Sequence, residues 1–203
     1  MKITRKENVT LVHLFLEGPV QSGKSTLLRK YLAPYIDQIG GFSCQRLVDT
    51  KGLAVAYRLI LTNQLELTKP YDPNLSNIFL RHNLDSSEKD LSIFKNIGIP
   101  LIENSMDKKA ILLDEIGGIE LLQPDFKKAL YRVLKKETPC IGVLKLNEKT
   151  KYMAQNGGLP SETIRLNSQL RYDLIHEFDA KIVDIKDIQK TEKAIAAFLE
   201  RIF

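Results

Sequence analysis

One segment near the amino terminus has the residue types and spacing of a phosphate-binding loop. Residues 18–25 read Gly-Pro-Val-Gln-Ser-Gly-Lys-Ser, which matches G-x-x-x-x-G-K-S/T at every defined position. Glycines let the backbone approach phosphate oxygens, the lysine can reach the β- and γ-phosphates, and the last hydroxyl can bind Mg²⁺. The segment therefore predicts a nucleoside triphosphate as ligand and Mg²⁺ as cofactor. The predicted nucleotide-binding residues are Gly18, Pro19, Val20, Gln21, Ser22, Gly23, Lys24, Ser25 and Thr26.

The elements on either side of this loop are those that a phosphate-binding loop requires. Val9–Leu16 is an apolar run with β-branched residues and predicts a buried strand, whereas Lys24–Ile36 has apolar residues at helical spacing. The positive end of that helix would face the phosphates. A secretion signal is not predicted, because the apolar run ends in Glu17-Gly18-Pro19 without a small-residue cleavage site.

A second apolar strand ends in two acidic residues. Ala110–Leu113 is followed directly by Asp114 and Glu115. This arrangement predicts that Asp114 and Ser25 hold Mg²⁺ and that Glu115 acts as general base towards water. Glu120 is a second candidate for either acidic role, and the sequence leaves the choice of general base open.

Strand and helix signals alternate along the rest of the chain, which predicts an α/β fold with a largely parallel sheet and one domain over residues 1–203. Residues 62–86 are the least regular part. The other predicted elements are a hairpin of Phe42–Val48 and Leu53–Leu61, a broken helix over Ser87–Met106, a helix over Asp125–Lys136, strands at Cys140–Leu146, Thr163–Leu166 and Lys181–Ile185, a loop at Gln155–Pro160 and a carboxyl-terminal helix.

Composition argues against several classes of protein. The 203 residues are 43% hydrophobic and 27% charged, as in ordinary globular domains. Cys44 and Cys140 are the only cysteines, which excludes a disulfide framework and a four-cysteine zinc site and fits a cytoplasmic protein. No apolar run is long enough to span a membrane. The net charge of +5 would suit nucleic acid, but the basic residues are scattered and no nucleic-acid motif accompanies them.

Four segments together resemble the small nucleoside-triphosphatase family of P-loop proteins, first recognised from thermophiles. They are the phosphate-binding loop, Gly40-Gly41-Phe42 with the hairpin after it, the acidic block Leu113–Leu121 and the segment Gln169–Asp173. The resemblance covers residues 11 to about 185. It implies a RecA-like three-layer α/β sandwich with a predominantly parallel central sheet. It also implies hydrolysis of ATP, GTP and other nucleoside triphosphates to the diphosphate and phosphate.

The chain departs from the family pattern at two places. Members often carry Lys-Met where this chain has Gly118-Ile119, which weakens any role for a lysine beside the acidic block. Members often carry Asn-Arg-Asp where this chain has Leu170-Arg171-Tyr172. Arg171 thus remains a candidate for stabilising charge on the γ-phosphate, and an ordinary ion pair is the alternative.

Three classes of function are compatible with these motifs. The first is a Mg²⁺-dependent nucleoside triphosphatase of broad base selectivity, which the absence of a guanine-specifying Asn-Lys-x-Asp motif suits. The second is a small-molecule or polynucleotide kinase, although the chain lacks an arginine-rich lid. The third is a nucleotide-dependent switch that binds nucleic acid. For the hydrolase, the predicted catalytic residues are Lys24, Glu115, Glu120 and Arg171.

Overall fold

The computed structural model describes residues 12–64, 66–82, 87–155 and 159–203. The strands are β1 (His13–Glu17), β2 (Ile39–Val48), β3 (Ala54–Leu61), β4 (Thr68–Pro70), β5 (Ile78–His82), β6 (Ser87–Lys89), β7 (Ala110–Ile116), β8 (Cys140–Leu144) and β9 (Ala180–Asp184). The helices are α1 (Lys24–Leu32), α2 (Ile99–Glu103), α3 (Pro124–Leu134), α4 (Asn147–Gln155), α5 (Glu162–His176) and α6 (Ile188–Glu200). The described strands form one sheet in the order β6-β5-β3-β2-β7-β8-β1-β9, with β4 beside β2.

Five neighbouring strands run parallel and determine where the predicted motifs meet. β1 lies between β8 and β9, and β7 lies between β2 and β8, all in parallel pairs. The carboxyl ends of these strands therefore share one edge of the sheet, which is where open α/β sheets bind ligands. β1 leads into the phosphate-binding loop and β7 into the acidic block, with β8 between them. The predicted α/β fold with a mainly parallel sheet is confirmed.

Helices cover both faces of the sheet because side chains alternate along each buried strand. In β1, Phe15 faces one hydrophobic cluster, whereas Leu14 and Leu16 face the other. The Phe15 cluster takes its helical residues mainly from α2, α3 and α5, and the second cluster takes them from α1 and α6. The three layers of the expected sandwich follow from this division.

The predicted hairpin is confirmed and extends the sheet on one side. β2 and β3 are antiparallel, with Phe42 opposite Leu61. The turn between them is stabilised by Asp49, whose Oδ1 accepts hydrogen bonds from the backbone N–H groups of Lys51 and Leu53, each at 2.8 Å. Such side-chain turns are the usual role of aspartate between strands. β5 and β6 continue this antiparallel part.

One prediction of secondary structure is wrong, and two other regions differ in detail from what the sequence predicts. Thr163–Leu166 lies in α5 rather than in a strand, because the buried side chains at positions 166, 170 and 174 repeat at helical spacing and override a short β-branched run. The region Ser87–Met106 begins with β6, and a π-helical turn over Phe94–Gly98 precedes α2. Residues 62–86 contain β4 and β5.

Other predicted elements are present with shifted ends. α1 ends at Leu32 and a 3-10 segment over Ala33–Gln38 continues it. Residues 9–11 of the predicted first strand and residues 156–158 of the predicted loop lie outside the described residues. Within the part of the chain that the structure describes, no helix has the length and apolar character needed to cross a membrane.

Candidate active site

The phosphate-binding loop connects β1 to α1, as predicted. Gly18 and Gly23 have φ angles of 140° and 83°, in the region that favours glycine. A Cβ on Gly18 would lie 2.6 Å from Cγ2 of Ile185, the residue that follows β9. Only glycine therefore lets the loop pass this close to Ile185. Gln21 also has a positive φ, of 61°. The loop residues that are exposed are Pro19, Val20, Gln21, Gly23 and Thr26.

Lys24 folds back over this loop. Its Nζ donates hydrogen bonds to the carbonyl oxygens of Gly18, at 3.0 Å, and Pro19, and to Oγ of Ser22 at 3.2 Å. Hydrogen bonds between an ammonium group and phosphate are stronger than those to neutral oxygens. A phosphate that enters the loop would therefore replace these neutral oxygens as the hydrogen-bond partner of the Lys24 ammonium, which already lies at the loop.

Ser25 and Asp114 join the phosphate-binding loop to the acidic strand. Oγ of Ser25 donates to Oδ1 of Asp114 at 2.8 Å, and the backbone N–H of Cys44 donates to Oδ2 at 3.3 Å. The residue Asp114 is only 2% exposed. Burial, with the charge of Glu115 adding to it, raises the pKa of Asp114 to about 6. The site therefore holds a carboxylate whose negative charge is poorly compensated.

This hydroxyl and carboxylate fit Mg²⁺ as a cofactor. Mg²⁺ prefers oxygen ligands and usually keeps waters and substrate phosphates in its coordination shell, with only one or two protein carboxylates. Across the described ranges, no group of three or more His, Cys, Asp and Glu side chains could hold a metal ion. Ser25 and Asp114 therefore suit an ion that arrives with a triphosphate.

Glu115 lies at a point where the backbone of β7 is irregular. Its φ of 64° lies in the left-handed region, which few non-glycine residues adopt. The register of β7 against β8 shifts between Leu113 and Ile116, as at a β-bulge. The Glu115 side chain is 38% exposed, and its Oε2 lies 4.0 Å from Nζ of Lys145. The carboxylate is therefore accessible at the same edge as Ser25 and Asp114.

Glu120 has different surroundings. It is buried, and its carboxylate accepts hydrogen bonds from the backbone N–H groups of Gly117 and Gly118. Gly117 has a φ of 98°, so the turn after β7 needs both a glycine and an acceptor for its N–H groups. Glu120 supplies that acceptor and stabilises the turn.

Lys145 is a residue of the site that sequence reasoning missed. It follows β8 directly, and its backbone N–H donates to the carbonyl of Ile116 at 2.9 Å. Burial lowers the pKa of Lys145, but the nearby carboxylates of Glu120 and Glu115 outweigh this and raise it. A lysine therefore lies beside the acidic block, although it comes from the end of β8 and not from position 118. The sequence around Lys145 has no spacing that distinguishes this residue from a solvated surface lysine.

Asn167 of α5 was also missed, because its segment was predicted to follow a strand. The buried side chain donates from Nδ2 to the carbonyl of Gly117 at 2.7 Å and to the carbonyl of Lys145 at 3.2 Å. The turn after β7 and the end of β8 are thus tied to one helix. Only recognition of α5 as a helix along its full length could have predicted that Asn167 lies on its buried face.

Arg171 makes an ion pair, which is the alternative that the sequence left beside a role at the γ-phosphate. Its Nη2 donates to Oε2 of Glu17, the last residue of β1 and the neighbour of Gly18. Both side chains are mostly buried, and Nε of Arg171 is buried without a hydrogen-bond partner among the described residues. Arg171 therefore lies at the start of the phosphate-binding loop, where it is paired with Glu17.

The two cysteines have different surroundings. Cys140 is buried in β8. Cys44 is half-buried, and its thiol donates to the backbone carbonyl of Asp114 at 3.5 Å. Burial, with Glu115 and Asp114 adding to it, raises the pKa of Cys44 well above its ordinary value. The Cys44 thiol beside Asp114 is therefore neutral at pH 7.

Comparisons with known proteins agree with this geometry. A sequence model of a family described as NTPase matches residues 13–177. The nucleoside-triphosphatase THEP1 of Saccharolobus solfataricus is 24% identical over an alignment of 177 residues, and the match covers 84% of this chain and 95% of the relative.

Two solved structures share the fold. The crystal structure of THEP1 from the hyperthermophile Aquifex aeolicus has a TM-score of 0.59 at 16% identity, covering 94% of this chain and 98% of that one. The solution structure of a human cancer-related nucleoside triphosphatase has a TM-score of 0.58 at 17% identity, covering 94% and 96%. At these identities the likeness shows the fold alone.

Proposed function

Because the chain belongs to the NTPase family, as its four segments predicted, and is a nucleoside triphosphatase, we propose that it hydrolyses ATP, GTP and other nucleoside triphosphates with Mg²⁺. The products are the nucleoside diphosphate and phosphate. The observation that carries the proposal is the 2.8 Å hydrogen bond from Ser25 Oγ to Asp114 Oδ1. This bond brings the phosphate-binding loop to the acidic strand and leaves the accessible Glu115 at the same edge.

Binding of the triphosphate falls to the loop and its lysine. The N–H groups of the loop and of the first turn of α1 donate to the phosphates, and the positive end of the helix adds to their attraction. The Lys24 ammonium moves from its carbonyl partners to the β- and γ-phosphate oxygens. Ser25 and Asp114 would hold Mg²⁺, which supplies positive charge to the phosphate oxygens when it is bound.

Glu115 is the group that we assign to the attacking water. Its carboxylate orients the water and accepts its proton, which requires an accessible side chain at the catalytic edge. Glu120 is ranked lower because both of its oxygens already accept hydrogen bonds within the turn. Phosphoryl transfer depends mainly on positioning and charge stabilisation, which these residues supply.

Arg171 is assigned to the start of the loop. Its ion pair with Glu17, the residue before Gly18, holds the guanidinium at the start of the loop. We propose that this charge stabilises negative charge on the phosphates during hydrolysis. Arg165, by contrast, is exposed and pairs with Glu162 at 3.4 Å on the surface of α5.

We also propose broad base selectivity, a single domain and a cytoplasmic location. The chain has no Asn-Lys-x-Asp segment that would select guanine. One sheet runs through all the described strands, which supports one domain over residues 1–203. Cys44 and Cys140 are free thiols, as expected in a reducing compartment.

Phosphate release from ATP, GTP, CTP and UTP tests this function. Each nucleotide is measured with Mg²⁺ and with excess EDTA, and with and without nucleosides and 5′-hydroxyl oligonucleotides as acceptors. We expect Mg²⁺-dependent release from all four nucleotides at rates that the acceptors do not change. Transfer of labelled phosphate to an acceptor without net release would instead identify a kinase. Release from one nucleotide alone would contradict the broad base selectivity.

A further inference from the structure

The backbone of Lys145 is held in place between the phosphate-binding loop and the acidic block. β8 lies between the strand that leads to the phosphate-binding loop and the strand that leads to Glu115. The N–H of Lys145 donates to the carbonyl of Ile116, and its own carbonyl accepts from Nδ2 of Asn167. With both backbone groups engaged, the direction in which this side chain leaves β8 is determined by the fold.

The Lys145 side chain passes directly over Gly118. A Cβ at position 118 would lie 2.6 Å from Nζ and 3.0 Å from Cδ of Lys145, so the lysine occupies the space that a larger residue would need. The same Cβ position is 3.1 Å from Oε2 of Glu120. Nζ lies 4.0 Å from Oε2 of Glu115. One ammonium group therefore lies next to both acids of the block.

Of these two acids, Glu115 is the one whose orientation depends on Lys145. Glu120 is buried and is already oriented by the N–H groups of Gly117 and Gly118. Glu115 is partly exposed, and its ion pair with Lys145 is the charged contact that the structure shows for it. A long, accessible side chain samples several rotamers unless a partner selects one.

We propose that Lys145 is a positioning residue for hydrolysis: its ammonium group holds the Glu115 carboxylate in the orientation from which it orients the attacking water. The inference rests on the proposed role of Glu115 and adds a residue to it from a different strand. Small displacements of a group that orients a reactant can cost large factors in rate, whereas binding of the nucleotide does not depend on them. Lys145 should therefore affect kcat and leave nucleotide affinity unchanged.

The first test compares Lys145→Met, Lys145→Arg and, as a matched control, Lys135→Met at an exposed lysine after α3. We expect Lys145→Met to lower kcat about tenfold with the Kd for ADP within about twofold of wild type. Lys145→Arg keeps the charge and should recover most of the rate, whereas Lys135→Met should match wild type. A wild-type kcat in Lys145→Met would overturn the proposal. If Lys145→Met does not fold, Lys145→Gln takes its place.

Two double-mutant cycles then show through which acid Lys145 acts. In a Glu115→Gln background, we expect Lys145→Met to change single-turnover hydrolysis by less than about twofold, because the group that it positions is gone. In a Glu120→Gln background, the loss should remain about tenfold. The inference would be overturned if Lys145→Met still lowered hydrolysis about tenfold in the Glu115→Gln background, or if this loss disappeared only in the Glu120→Gln background. Either result would indicate that Lys145 acts through the turn after β7. Wild-type hydrolysis by Glu115→Gln itself would instead contradict the proposed role of Glu115, on which the inference rests, and would leave the proposed hydrolysis standing.

Discussion

Acidification from pH 7 to pH 5 should weaken the binding of ADP with Mg²⁺ through Asp114. Burial, with the charge of Glu115 adding to it, raises the pKa of this carboxyl to about 6 in the nucleotide-free protein. Mg²⁺ requires the ionised carboxylate, so at low pH the protein must release a proton before the ion can bind. The ionised fraction of Asp114 falls to about one tenth at pH 5, and the apparent Kd should rise about tenfold.

The sign of this effect depends on the metal. Without Mg²⁺, a diphosphate brings negative charge towards Asp114, and the protonated carboxyl is then the more favourable neighbour. Acidification should therefore not weaken metal-free binding through this group. Asp114→Asn removes the titration, and its affinity for ADP with Mg²⁺ should be lower at pH 7 but without the tenfold loss at pH 5. Protonation of ADP itself is the same for both proteins and cancels in their comparison.

Isothermal titration calorimetry at pH 5, 6 and 7 measures these affinities. Buffers with different ionisation enthalpies report the protons released on binding, which should approach about one per nucleotide at pH 5 for wild type. Asp114→Asn should release about one fewer under the same conditions. Parallel pH dependences for the two proteins would refute the reasoning, because they would show that Asp114 does not titrate on binding.

Two further predictions concern stability. His13 is buried, accepts from the N–H of Cys140 at Nδ1 and contacts the Leu134 carbonyl through Nε2, and burial lowers its pKa to about 4. This pKa lies below the unfolded value of 6.5, so its contribution is complete above pH 6.5 and is lost as pH falls towards 4. Relative to His13→Gln, wild type should therefore lose about 2 kcal/mol of unfolding free energy between pH 7 and pH 5 in urea titrations. The opposing titration of Asp114 cancels in this difference, and a difference that does not change with pH would contradict the prediction. Asn167→Ala should cost about 2 kcal/mol at pH 7 and lower kcat, because it leaves two carbonyls without their donor. Gln169→Ala, at an exposed position of the same helix, is the control, and equal losses in both variants would show that the two bonds are not responsible.

The motifs that sequence analysis located are those whose chemistry lies within one short segment. The phosphate-binding loop and the Asp114-Glu115 pair are contiguous, and each follows an apolar strand that predicts its place at the edge of a sheet. Alternation of strands and helices was enough for a mainly parallel α/β fold. The order of the strands was not predicted, because it results from packing between residues far apart in the sequence.

Lys145 and Asn167 show what the sequence could not supply. Each comes from an element outside the recognised motifs, and each acts on the acidic block through a contact over a long sequence separation. A single lysine after a strand has no spacing to distinguish it from a solvated surface charge. Asn167 was hidden by the β-branched Thr163-Ile164 pair, whose strand preference the buried face of α5 overrides.

Single-turnover hydrolysis of ATP with Mg²⁺ by Glu115→Gln and Glu120→Gln tests the central assignment most directly. Lys24→Ala serves as the control for loss of phosphate contacts, and ATP affinity is measured for every variant. The account predicts that Glu115→Gln binds ATP within about twofold of wild type but hydrolyses it at least about a hundredfold more slowly. Glu120→Gln should lose mainly thermal stability and keep hydrolysis within about tenfold. Near wild-type hydrolysis by Glu115→Gln, or the hundredfold loss in Glu120→Gln instead, would contradict the account.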